Sequence, residues 1–281
     1  MKTIELRKVE VNALIALLSR SLKVSSILDF KVSSEKISSI IQNDATTFWK
    51  EWGTSTKGLF ESEPFAEIEI LIYNGAFFKD KVLPLFSKSE NLVMTIELND
   101  EGQPVRIHLN DGALAITFPT TRLDLAQEKL TPEEHSILFG IEDATASFEL
   151  PVEVLNTINR LKSLSYSCGY KPVTAITFES KDRVLRAFDG TFDLIVANEF
   201  DGGDFSVKID KTLLDLINAE DHKVYLCPTD FNDQQFDRFV FVSNHSSIQA
   251  VDVAILLKEV NANDLDLDGF NEESGSWDQS F

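Results

Sequence analysis

The chain contains few of the residues that build metal sites or disulfide frameworks. It has two cysteines among 281 residues, Cys168 and Cys227, and neither belongs to a Cys-x-x-Cys pair. The two could form one disulfide or remain free, and we expect buried free thiols in a reducing compartment. The four histidines are scattered without the spacing of metal ligands, at His108, His135, His222 and His245. We therefore expect neither a metal nor a cofactor.

Long apolar runs are also absent from the sequence. No stretch approaches the roughly 18 residues that a membrane-spanning helix needs. The first five residues, Met1-Lys2-Thr3-Ile4-Glu5, show neither the apolar segment nor the small-residue cleavage site of a signal peptide. We expect a cytoplasmic protein.

Motifs of catalysis are missing as well. Gly190 and the pair Gly202-Gly203 read as turn glycines, and no phosphate-binding loop or Gly-x-Ser-x-Gly sequence occurs. Carboxylates are plentiful, but no spacing pairs two of them as an acid and a base, so we interpret them as solvated surface charge. The sequence predicts that the protein is not an enzyme.

Positive charge is scarce. The chain has 26 lysines and arginines against 46 aspartates and glutamates, a net charge of −20. Such a charge repels nucleic acid at long range and argues against tight, nonspecific phosphate binding. It still permits a protein that surrounds DNA and touches it lightly, because charge can be sorted by face.

What the sequence does contain is an α+β pattern stated twice. An apolar content of 43% supports real cores, and the length predicts about two domains. Apolar periodicity predicts helices over residues 12–23, 76–87, 151–164 and 210–218. It predicts strands at 3–11, 26–32, 36–42, 45–52, 65–73, 91–98, 104–109, 112–118, 147–150, 173–179, 183–189, 191–199, 205–209, 222–227, 238–243 and 247–257. We predict a first domain at 1–120, a connector at 121–146, a second domain at 147–260 and a disordered acidic tail at 261–281.

Three local signals fix details of this pattern. Asn110-Asp111-Gly112 predicts a hairpin turn. Thr131 followed by Pro132 predicts the capped start of a helix within the connector. Asp210 predicts the cap of the last helix.

The repeated unit of helix, strands, helix and strands, joined by a long connector in a very acidic chain, resembles the DNA sliding clamps. It is most similar to the two-domain type, which includes proliferating cell nuclear antigen and the clamps of tailed bacteriophages. The stretches that carry the resemblance are Ala66 to Thr120 and Ser147 to Leu257. Within them, Ile68 to Asn74 leads into a short helix, and Asn110-Asp111-Gly112 turns into the next strand.

The resemblance implies two tandem processivity-fold domains, with helices on an inner face and antiparallel sheets outside, assembling as a homotrimeric ring. Such a ring encircles duplex DNA without sequence preference and tethers a replicative DNA polymerase, after loading by an ATP-dependent clamp loader. A phage origin would place it in the host cytoplasm. The cations on or beside the four helices would then face the DNA, although ordinary amphipathic helices explain them equally. They are Arg20, Lys23, Lys79, Lys81, Lys88, Arg160, Lys162, Lys208 and Lys211.

The resemblance also implies a pocket beneath the connector that takes an apolar or aromatic peptide of a partner. On this chain the matching residues are Leu123, Leu125, Ile137, Leu138, Val253 and Ile255. Plain core packing is the alternative role of each. The acidic tail carries Trp277 and Phe281, which could dock into a partner's pocket or belong to an untethered end.

Two other classes of function compete with this interpretation. A single-stranded DNA-binding replication protein would use the acidic tail to recruit partners and would need a basic groove interleaved with aromatics. Phe48, Trp49, Lys50 and Trp52 are clustered, but the sequence has no extended basic-aromatic tract. Binding to short linear oligonucleotides would favour this reading. An unrelated α+β enzyme or structural protein is the second alternative, and a polar pocket would favour an enzyme.

Overall fold

The computed structural model describes residues 2–122, 129–163, 174–231 and 234–257. The strands of the first half are β1 (Lys2–Arg7), β2 (Leu28–Val32), β3 (Lys36–Gln42), β4 (Phe48–Ser55), β5 (Glu61–Ser62), β6 (Ile68–Ile72), β7 (Val93–Leu98), β8 (Pro104–Asn110) and β9 (Ala115–Pro119). Its helices are α1 (Val11–Leu22) and the short α2 (Gly75–Phe77), which continues into a π-helix (Phe78–Val82) and a 3-10 helix (Leu83–Phe86).

The connector region contains the helix α3 (Pro132–Phe139). The strands of the second half are β10 (Ala146–Leu150), β11 (Ala175–Lys181), β12 (Val184–Phe188), β13 (Asp193–Ala197), β14 (Phe205–Asp210), β15 (His222–Phe231), β16 (Gln234–Ser243) and β17 (Gln249–Ile255). Its helices are α4 (Val152–Leu161) and α5 (Lys211–Leu216).

The described strands form three antiparallel sheets, of which the largest joins the two halves. This central sheet has the order β10-β15-β16-β17-β4-β3-β2-β6, while β5-β1-β7-β8-β9 and β13-β12-β11-β14 form the first and third sheets. The joint is the pairing of β4 with β17, in register from Gln249 opposite Gly53 to Ala254 opposite Phe48. The last strand of the described residues therefore joins the strands of the second half to those of the first.

The inner face of the central sheet, which packs against the helices, supports two hydrophobic cores. Alternation along β4 points Phe48, Lys50 and Trp52 to this face. Trp52 belongs to the first core with α1 and the first sheet, and its indole Nε1 donates to Ser21 Oγ at 2.8 Å. Phe48 belongs to the second core with α4, α5 and the third sheet. Lys50 lies between the two cores, and the prediction of an α+β fold with helices against antiparallel sheets is confirmed.

The three local signals read from the sequence are confirmed. Gly112 adopts a positive φ of 89° in the β8–β9 turn, and its N–H donates to Asn110 Oδ1 at 2.8 Å. Thr131 forms a full capping box with Glu134 at the start of α3. Asp210 accepts from the N–H of Thr212 and so caps α5.

Element boundaries need several corrections. The predicted strand 3–11 ends at Arg7, because Lys8 takes a positive φ of 50° that breaks the extended chain. The predicted helix 76–87 is one short α-turn followed by π and 3-10 turns, since Pro84 lacks the N–H of a regular α-helix and starts the 3-10 segment instead. Residues 53–64, for which no helix or strand is predicted, contain the end of β4 and the short β5.

Strand pairing explains the shifts of β15 and β16. The predicted strands 222–227 and 238–243 extend to Phe231 and back to Gln234, because β15 and β16 form one long hairpin. The domain boundaries predicted at residues 120, 146 and 260 stay predictions.

The close approach at Gly75 gives a test of the first core. A Cβ at this position would lie 2.6 Å from Leu28 Cγ and 2.9 Å from Leu22 Cδ2. We expect Gly75→Ala to lower the free energy of unfolding by about 1–3 kcal/mol through overpacking. Urea unfolding measures the loss, with Ala76→Ser at the exposed neighbour as the control. Equal stability of both variants would contradict the tight packing.

Candidate DNA-facing and partner-binding sites

The cations predicted to face DNA divide into an exposed and a buried group. Lys81, Lys88 and Arg160 are exposed, and Lys79 and Lys208 are half-buried. Lys23 is also exposed, but its Nζ donates to the carbonyl of Ile217 at 3.0 Å. Lys79 and Lys81 lie on the π-helix, whose Phe78 and Val82 are buried. A π-helix is rare and often marks a functional site.

The buried group comprises Arg20, Lys162 and Lys211. Arg20 makes a bidentate ion pair with Glu220, at 2.9 and 2.7 Å. Lys162 is 7% exposed, donates to the carbonyl of Lys211 at 3.2 Å and pairs with Asp215. Lys211 is 2% exposed and pairs with Asp189.

Each of these three cations is paired with a carboxylate of the same chain. A guanidinium or ammonium held in this way presents little charge to a phosphate outside the protein. The structure thus does not place Arg20, Lys162 or Lys211 as surface cations, and a role for the helices in DNA contact rests on the exposed group. Sequence pattern missed the distinction because the acidic partners of Arg20 and Lys162 are remote in the chain.

Arg20 belongs to a polar network between the two cores, which we call the seam network and define as Arg20, Lys23, Lys50, Glu220 and Asp252. Arg20, Lys50 and Asp252 are buried, Glu220 is half-buried and Lys23 is exposed. Lys50 Nζ lies 2.9 Å from Asp252 Oδ2, with side-chain exposures of 0% and 3%. This pair joins residues that lie directly opposite each other on β4 and β17. The network therefore crosses from one half of the chain to the other.

Burial and neighbouring charges shift the pKa values of groups in and beside the seam network. Burial lowers the pKa of Lys50, while the adjacent Asp252 opposes that shift. Burial also opposes ionisation of Glu220, but hydrogen bonds from Arg20 and Ser243 outweigh it and lower the pKa of Glu220 to about 2. Burial likewise lowers the pKa of His222, which is 1% exposed beside the network.

The outer face of the central sheet is covered by α3. Leu138 of α3 and Val253 of β17 are both fully buried in one cluster with Trp49, Cys227 and Val240. Ile255 packs against the same cluster. The structure thus brings together Leu138, Val253 and Ile255, as the partner-site prediction implied, but as a packed layer closed by α3. Their alternative role of core packing describes this state.

Arg238 fastens α3 to the sheet. Its Nε donates to the carbonyl of Leu138 at 2.8 Å, and its Nη2 donates to the carbonyls of Ile137 and Gly140, each at 2.7 Å. Ile137 is otherwise half-buried. Sequence analysis did not single out Arg238, since nothing local marks an arginine that caps a distant helix C-terminus. Leu123, Leu125, Trp277 and Phe281, also predicted to bind partners, lie outside the described residues.

An open pocket of about 320 Å³ adjoins the layer covered by α3, where β2, β3, β4 and β6 meet the connector residues just before α3. Ile40, which is 45% exposed, and Trp49 line it together with Leu130. Lys129 of the connector forms an ion pair with Glu69 in the same pocket. The connector thus forms part of the pocket wall.

A carboxyl pair gives this outer pocket its electrostatic character. Asp29 and Glu69 share a hydrogen bond there. Burial and the neighbouring carboxylate raise the pKa of Asp29 to about 7. The pocket combines an apolar wall with groups that can bind a polar or charged ligand, as partner-binding pockets commonly do.

Two sheet edges carry exposed apolar side chains. β9 is the open edge of the first sheet, and near it Phe77 is 49% and Leu114 39% exposed. The ring of Phe77 stacks on that of Phe118 with centroids 6.3 Å apart. β13 is the open edge of the third sheet, and its Ile195 is 46% exposed. Unpaired edges with apolar side chains are typical of surfaces that pair with another chain.

The aromatic cluster behind the single-strand-binding alternative is part of the interior. Phe48, Lys50 and Trp52 are 0% exposed and Trp49 is 4% exposed. None of these rings is available for stacking on bases.

The described residues show neither a metal site nor a membrane-spanning helix, and one of the two cysteines is a free thiol. Within the described residues, no group of three or more histidine, cysteine, aspartate or glutamate side chains is placed to hold a metal ion. No helix of this part of the chain is long and apolar enough to cross a membrane. Cys227 is a buried free thiol, while Cys168 lies outside the described ranges.

Comparison with known proteins connects this geometry to one fold. The sequence matches no protein-family model, and it matches no curated protein. Solved structures do match. Proliferating Cellular Nuclear Antigen from Entamoeba histolytica aligns over 92% of this chain and 100% of its own, with a TM-score of 0.62 and 10% identity. A. fulgidus PCNA, solved with the C-terminal region of FEN-1, aligns over 92% and 100%, with a TM-score of 0.60 and 13% identity.

Bacterial clamps match over part of their length. The DNA polymerase III beta chain of Streptococcus pneumoniae aligns over 91% of this chain and 65% of its own, with a TM-score of 0.60 and 16% identity. The chain has the fold of the DNA sliding clamps. In extent it corresponds to the whole PCNA chain and to about two thirds of the bacterial beta chain.

The lowered pKa values of Glu220 in the seam network and of His222 beside it predict that the folded protein loses stability in acid. His222 has its pKa lowered from 6.5, so the folded state favours the neutral ring, and stability falls as pH drops below about 6.5. Glu220 adds a further loss between about 4.5 and 2. We expect His222→Gln to lose less stability than wild type between pH 7.5 and 5.5, by up to about 1.4 kcal/mol per pH unit.

Urea unfolding at the two pH values measures this difference. The exposed His245→Gln is the matched control and is expected to follow wild type. A His222→Gln profile parallel to wild type would refute the burial of a neutral His222.

Loss of the Arg238 anchor is expected to free α3. Arg238→Met removes the donors to three carbonyls at the end of this helix. We predict faster hydrogen exchange over residues 132–139, with α4 unchanged. Arg183→Met is the control, because Arg183 is 67% exposed in a surface pair with Asp201. Uniform acceleration across the chain would show global destabilisation instead.

Proposed function

We propose that this protein is a DNA sliding clamp: three copies form a ring that encircles duplex DNA and tethers the replicative DNA polymerase. The observation that carries the proposal is the clamp fold over about nine tenths of the chain, with open apolar edges on both halves. The chain itself catalyses no reaction in this role.

The placement of the two edges supports a ring. β9 belongs to the first half and β13 to the second, so pairing β9 of one copy with β13 of the next is a head-to-tail contact. A head-to-tail contact closes into a ring when the rotation per copy divides a full turn. With two halves per chain, we infer that three copies supply six similar domains.

DNA contact in such a ring is light. Lys81, Lys88 and Arg160 offer exposed charge, and Lys79 and Lys208 are half-buried. A net charge of −20 on the whole chain discourages tight binding and leaves retention to topology. Weak, sequence-independent phosphate contacts let the ring slide.

Partner proteins are proposed to bind the outer pocket, beside the layer that α3 closes. The A. fulgidus PCNA structure contains the C-terminal region of FEN-1, which supports peptide binding as the recruitment mode of this fold. A partner peptide would place an apolar side chain against Ile40 and Leu130. An ATP-dependent loader would open the ring, and a phage or other viral source would set the host cytoplasm as the compartment.

The mass in solution tests the ring. Light scattering is expected to give about 95 kDa, three times the 31.6 kDa chain, at micromolar concentration. Phe77→Arg and Ile195→Arg each place a charge on one edge and are expected to yield monomers. Ile40→Arg changes an equally exposed residue on the outer face and is expected to keep the trimer. A monomeric wild type at every concentration would contradict the ring.

Reversal of exposed charge tests the DNA-facing assignment. Lys81→Glu, Lys88→Glu and Arg160→Glu together are expected to keep the trimer but abolish stimulation of the cognate polymerase. The control reverses Lys2, Lys57 and Lys181, which are exposed elsewhere and change the net charge equally. Equal stimulation by both triple variants would overturn the assignment.

A further inference from the structure

In the seam network, the cations come from the first half of the chain and the carboxylates from the second half. Its three cations, Arg20, Lys23 and Lys50, come from α1 and β4 of the first half. Its two carboxylates, Glu220 and Asp252, come from the second half. Lys23 reaches a backbone carbonyl of the second half as well. Every contact named here therefore bridges the two halves, and each draws them together.

Net stability is a weak explanation for the buried pair of Lys50 and Asp252. Desolvating two charges costs about as much as their attraction returns, and apolar residues of similar size often replace such pairs without loss. Asp252 Oδ1 is also buried without a hydrogen-bond partner. The surroundings could pack apolar side chains, because Phe48 and Trp52 flank Lys50 on the same face of β4. Unlike apolar packing, a directional ion pair restricts the relative orientation of the two strands that carry it.

The geometry that needs fixing is the twist between β4 and β17. Six residue pairs hold these strands edge to edge, but the twist between neighbouring strands ranges from about −10° to −35° in proteins. The seam network lies on the inner side of this joint. It links α1 to the segment before β15 through Arg20 and Glu220, and the two strands through Lys50 and Asp252. Contacts at two separate points restrict rotation about the joint.

We propose that Lys50 and Asp252, supported by Arg20 and Glu220, are positioning residues that fix the angle between the two halves and thereby decide that three copies close the ring. The proposal rests on the proposed function, because the angle acquires this consequence in a head-to-tail ring. β9 and β13 lie on different halves, so each chain turns the ring by about 120° only at one inter-half angle. An error in that angle recurs in every chain and opens the ring.

The test replaces the pair by apolar residues. Lys50→Met with Asp252→Leu removes both charges together, and we expect it to unfold at or above the wild-type temperature. Each single replacement strands one buried charge and is expected to unfold at a lower temperature. Despite its stability, the double variant is expected to raise the dissociation constant of the trimer by at least about tenfold. The reason is that an altered angle between the halves strains the contacts between copies when the ring closes.

A distance measurement reports the inter-half angle without relying on assembly. Spin labels at Lys57→Cys and Lys181→Cys, exposed sites on the two halves, are placed in a Cys168→Ser background and diluted with unlabelled chain. Double electron–electron resonance measures the distance between the two labels. We expect one narrow distance distribution in wild type and a broadened or displaced one in the double variant. The control is Lys211→Met with Asp189→Asn, a buried pair confined to the second half, and its distribution is expected to match wild type.

Each outcome decides the proposal. A double variant with the wild-type distribution and a trimer constant within about twofold of wild type overturns it. If wild type never forms a trimer, the ring fails as a function, while the distance distributions still judge whether the seam fixes the angle. If the double variant does not fold, Arg20→Gln with Glu220→Gln serves in its place, since that pair retains 10% and 15% side-chain exposure. An unbroadened distribution there rejects the proposal.

Discussion

The antiparallel pairing of β4 with β17 is the constraint on which the rest of this structure depends. It joins residues about 200 positions apart and makes one sheet from the two halves of the chain. Because side chains alternate along β4, its inner face supplies Trp52 to one core and Phe48 to the other, while its outer face supplies Trp49 to the layer under α3. Both cores, the connector helix and the seam network are attached to this single joint.

Charge is distributed to match that architecture. Cations on the helical side either remain exposed, as Lys81, Lys88 and Arg160 do, or pair within the fold, as Arg20 and Lys211 do. The exposed cations suit brief phosphate contact, and the internal pairs hold elements in place. In the sliding clamp that we propose, these exposed cations are the ones available to DNA phosphates.

Local structure followed from sequence wherever the signal was local. The strand at 36–42, the Gly112 turn and the Thr131 cap depend on neighbouring residues, and the structure has them as predicted. Contacts between residues that are far apart in the sequence could not be predicted. The pairing of β4 with β17, the burial of Arg20 by Glu220 and the capture of α3 by Arg238 each join positions at least 98 apart, and no periodicity encodes such contacts. For this reason the fold could be predicted better than the exposure of its cations.

Covalent closure of the ring on DNA tests the central claim most directly. Thr117→Cys on β9 and Ile195→Cys on β13, in a Cys168→Ser background, allow a disulfide to form between neighbouring copies. The protein is assembled on a circular plasmid, oxidised and then stripped with detergent. The sliding-clamp account predicts that cross-linked protein remains on the circle and is released when the plasmid is cut once. Cross-linked protein that leaves the intact circle would contradict encirclement.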